Sequence, residues 1–129
     1  ERHVRRMARF GQLTPKSLTE FLSQGLVPEF IHGLAHLAEI DVDTSRRIVF
    51  TRGAEAVAVA CRAAEFPPGT FSEIVRLLIQ CGGLGGEAFH PAEFNEMLEL
   101  YKQMPKENAQ RAMRFWRIRK QSMQGASAA

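Results

Sequence analysis

Ala54-Glu55-Ala56-Val57-Ala58-Val59-Ala60-Cys61-Arg62-Ala63-Ala64-Glu65 is the stretch on which the fold class turns. Its alternating Val and Ala have the two-residue period of a strand. The alanine content and the unbroken length favour a helix, because alanine is the strongest helix former and strands of this kind run about 4–8 residues. With so little polar surface, the helix is expected to be a central one.

Outward from this stretch, the chain is punctuated at helix-sized intervals. On its C-terminal side, Phe66-Pro67-Pro68-Gly69 cannot continue a helix. Thr70 is then expected to cap a run in which Phe71, Ile74, Val75 and Leu78 recur at helical spacing, with Glu73 three residues after the cap. Cys81-Gly82-Gly83-Leu84-Gly85-Gly86 holds too many glycines for regular structure and reads as a connector. Pro91 opens a helix carrying Phe94, Met97, Leu98 and Tyr101. Pro105 opens the last, whose stripe is Ala109, Ala112, Met113, Trp116 and Met123. Residues 124–129 have nothing to bury and are expected to fray.

On the N-terminal side, Gly53 breaks the chain after a short run with Ile48, Val49 and Phe50. Asp41-Val42-Asp43 reads as a turn. Before it, Pro28 to Ile40 forms a run with Phe30, Ile31, Leu34, Leu37 and Ala38 on its inner side. Thr14-Pro15 opens a run that Gly25 closes; Thr14 is the cap, and Pro15 sits where its missing N–H costs nothing. Residues 2–10 read as a helix with Val4, Met7, Ala8 and Phe10 on one side. No segment resembles a β-hairpin, and no repeat of 20–50 residues is present. The expected fold is all-α: a stack of antiparallel helical hairpins with seven or eight short helices and no sheet. Its core should hold Leu18, Phe21, Leu34, Leu37, Val57, Cys61, Phe71, Ile74, Leu78, Leu98 and Trp116.

The 129 residues, 45% hydrophobic and 24% charged, suit one ordinary globular domain. No run approaches the roughly 18 apolar residues of a membrane span. Because the chain starts at Glu1 and starts Arg-rich, it is expected to be a piece of a longer one, with residues 1–10 the end of an upstream helix. Cys61 and Cys81 have neither CxxC nor disulfide-framework spacing. Both are expected to be buried free thiols, which points to a reducing compartment and the cytoplasm. The net charge of +3 is unevenly distributed. Residues 11–101 hold six Lys/Arg against twelve Asp/Glu, a net −6, whereas residues 102–129 hold seven Lys/Arg against Glu107, a net +6. Basic ends on an acidic body either guide an anionic partner or dock on the body of the same or a neighbouring copy.

Chemistry-bearing patterns are few. Glu29, His32, His36 and Glu39 are spaced to share one helix face, and His at i and i+4 can grip one metal ion. Glu87 and His90 repeat the Glu-x-x-His spacing of di-iron bundles. The face opposite an apolar stripe must be polar in any case, and His90 precedes Pro91, which pushes it out of the helix. Neither a metal nor another cofactor is expected. Ser17, Ser23, Ser45 and Ser72 lack a G-x-S-x-G setting. Gly82–Gly86 lacks the Lys-Ser/Thr of a phosphate loop and follows a helix where a strand is required. Enzymatic activity is therefore not expected. The better lead is the row Arg111, Arg114, Arg117 and Lys120 along the last helix, with Phe115, Ile118 and Arg119 nearby. Such a row meets phosphates of a nucleic acid, meets a membrane surface or another acidic ligand, forms a solvated face, or pairs with Glu93, Glu96 or Glu99 of the preceding helix.

From about Leu13 to Leu78 the order of features resembles a bacterial domain family of unknown function, number 2336 in the uncharacterised-domain series. The matching stretches are Leu22-Ser23-Gln24-Gly25, Phe30-Ile31-His32-Gly33-Leu34-Ala35-His36-Leu37-Ala38, the Arg46–Val49 turn region, Gly53-Ala54-Glu55-Ala56, and Cys61-Arg62-Ala63-Ala64 leading to Phe71. The resemblance implies an all-helical, HEAT-like stack within a larger cytoplasmic protein, and it carries over no catalytic residues. The expected role is a non-enzymatic interaction or regulatory module for a protein partner, with homo-oligomerisation open. Nucleic-acid binding through the last helix is the alternative, and a metalloprotein centred on His32 and His36 a more distant one.

Overall fold

The computed structural model describes residues 2–9, 11–84 and 89–116. Within them the chain is all-helical, as its punctuation implies, with no strand among the described residues. The helices are α1 (Arg2–Arg9), α2 (Pro15–Ser23), α3 (Val27–Ala38), α4 (Val42–Arg47), α5 (Ala54–Ala63), α6 (Pro68–Gln80), α7 (Pro91–Gln103) and α8, helical over 106–116. Phe10, Met123, the 124–129 tail, Gly85, Gly86 and Glu87 lie outside the described residues.

Local chemistry accounts for most of the boundaries. Thr14 caps α2: its Oγ1 accepts from the Ser17 amide at 3.3 Å, while the Thr14 amide donates to Ser17 Oγ at 3.1 Å. This closes a reciprocal capping box, with Pro15 in the first turn. Asp41, expected in a turn, instead caps α4, accepting from the Thr44 amide at 3.2 Å and from Thr44 Oγ1 at 2.6 Å. Val42 and Asp43 therefore belong to the helix. Thr70 is not a cap, because α6 starts earlier: Pro67 holds the extended entry and Pro68 supplies the preset φ of a first helical residue. Beyond α4 the chain continues as a π-helical turn, Ile48–Arg52. It stops at Gly53, whose φ of 86° and ψ of −175° lie in a region essentially reserved for glycine.

The packing is organised around α2, α3, α5 and α6. α2 lies against both α3 and α6, α1 against α3, and α3 against α4 and α5. A cross-link between distant elements, α2 to α6, joins the start of the chain to its middle. Gly33 lets α2 and α3 approach, since a Cβ there would overlap the Leu18 Cδ2 methyl. The Ser45 hydroxyl donates to the Ile31 carbonyl at 2.8 Å in the interior, tying α4 to α3. Leu18, Phe30, Leu34, Ile48, Val57, Cys61, Phe71, Ile74 and Leu78 are fully buried, and Phe21 nearly so. The Val/Ala stretch of α5 is central, with Ala54, Ala56, Val57, Ala58, Ala60 and Cys61 all inside.

Three expected core residues are only half-buried, namely Leu37, Leu98 and Trp116. Each is at the margin of its helix's inner face, where Ala38, Tyr101 and Met113 take the interior positions. Cys81 is exposed, contrary to expectation. It caps the C-terminus of α6, where Gly82 at φ 78° ends the helix, and so lies beyond the helix's buried face. Among the described residues no helix is long and apolar enough to cross a membrane.

Candidate partner-binding groove

One concavity is built by the way α7 is fastened. Tyr101 is the only fully buried side chain that α7 contributes. Its ring stacks on Phe71 with centroids 4.1 Å apart and planes 5° from parallel. Its hydroxyl donates to the Phe66 carbonyl at 2.5 Å. Burial pushes the Tyr101 hydroxyl well above the usual phenol range; the neighbouring Cys61 adds to this and Arg62 opposes it. Burial likewise pushes the Cys61 thiol far up. Both groups stay protonated at neutral pH and serve the interior by packing and hydrogen bonding.

A second fastening follows at the end of α7, where Arg62 Nε donates to the Met104 carbonyl at 2.7 Å. Arg62 thereby satisfies one of the carbonyls that a helix C-terminus leaves open. α8 returns over the same junction. Lys106 pairs with Glu65 at 3.0 Å, Gln110 Nε2 donates to the Ala63 carbonyl at 3.4 Å, and Ala109 and Met113 are buried.

Fastened at its C-terminal end, α7 leaves a groove of about 500 Å3 against the start of α5. Ala54 and Ala58 form one wall and Met97, Tyr101 and Met104 the floor, while Glu55, Glu93 and Glu96 stand around the rim. Leu100 lines the edge and is 65% exposed. At the other side of α7, the Arg76 guanidinium lies 5.4 Å from the centre of the Phe94 ring, a cation–π contact that helps hold the helix to α6. A smaller cleft of about 230 Å3 lies where α8 meets the end of α3, between Glu39 and Arg114.

The residues singled out from the sequence are distributed as follows. Glu29 and His32 are half-buried on α3, and His36 is exposed near its end. Glu39 does not share their helix face. It is the residue after the helix, in the left-handed conformation at φ 57°. Among the described residues no three His, Cys, Asp or Glu side chains gather as a metal site would require. His90 stands in extended conformation just before α7, as its place ahead of Pro91 implies. Ser17 and Ser45 are spent on the hydrogen bonds described above, and the Ser23 hydroxyl donates to the Glu20 carbonyl.

Arg111 and Arg114 are exposed on α8; Arg117 and Lys120 lie outside the described residues. The described part of the row does not pair with the preceding helix. Glu99 pairs with Lys102 of its own helix at 3.2 Å, and Glu93 and Glu96 face the groove. The groove itself was not anticipated. The available signal was Leu100, a large aliphatic residue out of step with the stripe Phe94, Met97, Leu98 and Tyr101.

The described residues define an all-α protein with an apolar, acid-rimmed groove between α5 and α7. The chain is a member of the family described as an uncharacterised protein conserved in bacteria (DUF2336), whose model matches residues 1–114. No curated protein and no solved structure matches it.

Proposed function

We propose that this protein is a non-enzymatic interaction module of the bacterial cytoplasm, and that the groove between α5 and α7 receives a helical segment of a polypeptide partner. The observation that carries this reading is Leu100, which is 65% exposed at the edge of a groove floored by Met97, Tyr101 and Met104. An apolar floor with a polar rim is the usual surface for an amphipathic helix laid into a groove. The succession of short helices is compatible with a HEAT-like stack, an architecture that presents such surfaces. Two free cysteines are in keeping with a reducing compartment.

A photo-crosslinking amino acid placed at Leu100 in the native host tests the proposal. A polypeptide should be trapped there, and none at the exposed Glu20 of α2. Equal trapping at both positions would remove the groove from consideration, as would recovery of only a small metabolite that the protein turns over. Elemental analysis of the purified protein addresses the competing metalloprotein. A stoichiometric metal lost on replacing His32 or His36 would favour that reading instead.

A further inference from the structure

The chain carries both halves of a complementary pair of surfaces. One is the groove, whose rim carboxylates Glu55, Glu93 and Glu96 are exposed and engage in no ion pair among the described residues. The other is the outer face of α8. Ala109 and Met113 hold that helix to the body, which leaves Arg111 and Phe115 exposed, with Arg114 exposed beside them at the mouth of the cleft it shares with Glu39. Phe115 is 59% exposed, and neither arginine has an ion-pair partner among the described residues. At i, i+3 and i+4 the three side chains share one helix surface. They present an aromatic anchor flanked by two guanidinium groups.

We infer that the groove's occupant is a second copy of this chain, inserting Phe115 over the floor of Met97 and Tyr101 while Arg111 and Arg114 meet the rim carboxylates. The inference rests on the groove reading above and names its partner. The argument is charge complementarity together with an apolar anchor: each surface supplies what the other lacks. Arginine suits the rim because its planar guanidinium pairs with carboxylates in two-point geometry. Two copies can each offer α8 to the other's groove, so the exchange closes as a two-fold dimer with both sites filled. Rim pairs in water are individually weak and screened by salt, so the burial of Phe115 supplies affinity and the charges supply register.

The test is sedimentation of the full 129-residue chain over a wide concentration range at low and high salt. A monomer–dimer equilibrium that weakens with salt is expected, and Phe115→Asp should weaken it at least about tenfold. Two charge-reversed variants make the assignment specific. Glu93→Arg with Glu96→Arg should be monomeric, and so should Arg111→Glu with Arg114→Glu. Mixed together they should form a heterodimer, because both reciprocal contacts are then of opposite charge. All substituted positions are exposed, and unchanged helix content and urea midpoints confirm that each variant folds.

A chain monomeric at every concentration would overturn the inference, as would a dimer that survives both reversals or reversed variants that fail to recombine. If the monomer's groove still cross-links a different polypeptide, the groove reading stands and only the second-copy assignment falls. If it cross-links nothing, both fall.

Discussion

At Tyr101 the interior makes a commitment that can be measured by pH. Its hydroxyl and the Cys61 thiol are both held protonated by burial. Below about pH 8 the two are protonated in the folded and the unfolded chain alike and contribute no pH dependence. Above this the unfolded chain releases the thiol proton near about 8.5 and the phenol proton near about 10, while the folded chain keeps both. Unfolding then releases protons, so stability falls with rising pH, by up to about 1.4 kcal/mol per pH unit for each group. Urea unfolding at neutral pH and at two alkaline values should show this decline; a midpoint unchanged across that range would contradict it. Tyr101→Phe should remove the later part of the decline. It should also cost about 1–3 kcal/mol at neutral pH, because the buried Phe66 carbonyl loses the hydroxyl that donates to it. At the same scale, a thiol reagent should modify exposed Cys81 promptly and buried Cys61 only as the fold opens.

Between elements, the informative position is Gly53. It turns the chain from the π-helical Ile48–Arg52 into α5 at φ 86° and ψ −175°. Gly53→Ala should destabilise the fold by about 1–3 kcal/mol, read from the urea midpoint, and an equal or higher midpoint would mean that the turn relaxes freely. The glycine was legible as a break, but the π turn ahead of it carries no sequence signal. The same contrast runs along the chain. Thr14-Pro15 was readable because cap and first turn are adjacent and agree. Asp41 and Asp43 each look like a cap, and the choice falls to Asp41 in a fold where Ser45 reaches the Ile31 carbonyl from the following turn. Pro67-Pro68 reads as a stop and is also a start, which displaced the expected cap to Thr70. Glu39 has helical spacing from His32 and His36, yet a helix that ends at Ala38 takes it off their face. The groove was least legible, because it depends on Tyr101 meeting Phe66 and Arg62 meeting Met104, contacts 35 and 42 residues apart in the chain.

Across the whole molecule, charge and burial divide the domain into a closed body and a fastened hairpin. The acidic stretch 11–101 and the basic stretch 102–129 meet in the described structure at Lys106 with Glu65 and at Lys102 with Glu99, exposed pairs of small energetic weight. Arg111 and Arg114 thus remain available to a partner, and duplex or single-stranded nucleic acid offered at low salt discriminates between anionic partners. Unchanged migration is expected if α8 serves protein contacts, whereas retardation that weakens uniformly in Arg111→Ala and Arg114→Ala would support phosphate binding instead. The fastening itself predicts uneven stability. α6 buries Phe71, Ser72, Ile74, Val75 and Leu78, whereas α7 fully buries Tyr101 alone. Local opening follows the smaller buried contact, so amides of α7 should exchange with solvent well before those of α3 and α6. Arg62→Ala removes the hydrogen bond to the Met104 carbonyl and leaves the Tyr101 bond in place. Exchange in α7 and α8 should then accelerate while α2, α3 and α6 keep their protection. Acceleration spread equally over all helices would mean instead that the hairpin and the body open as one unit, and that the groove between them is as permanent as the core.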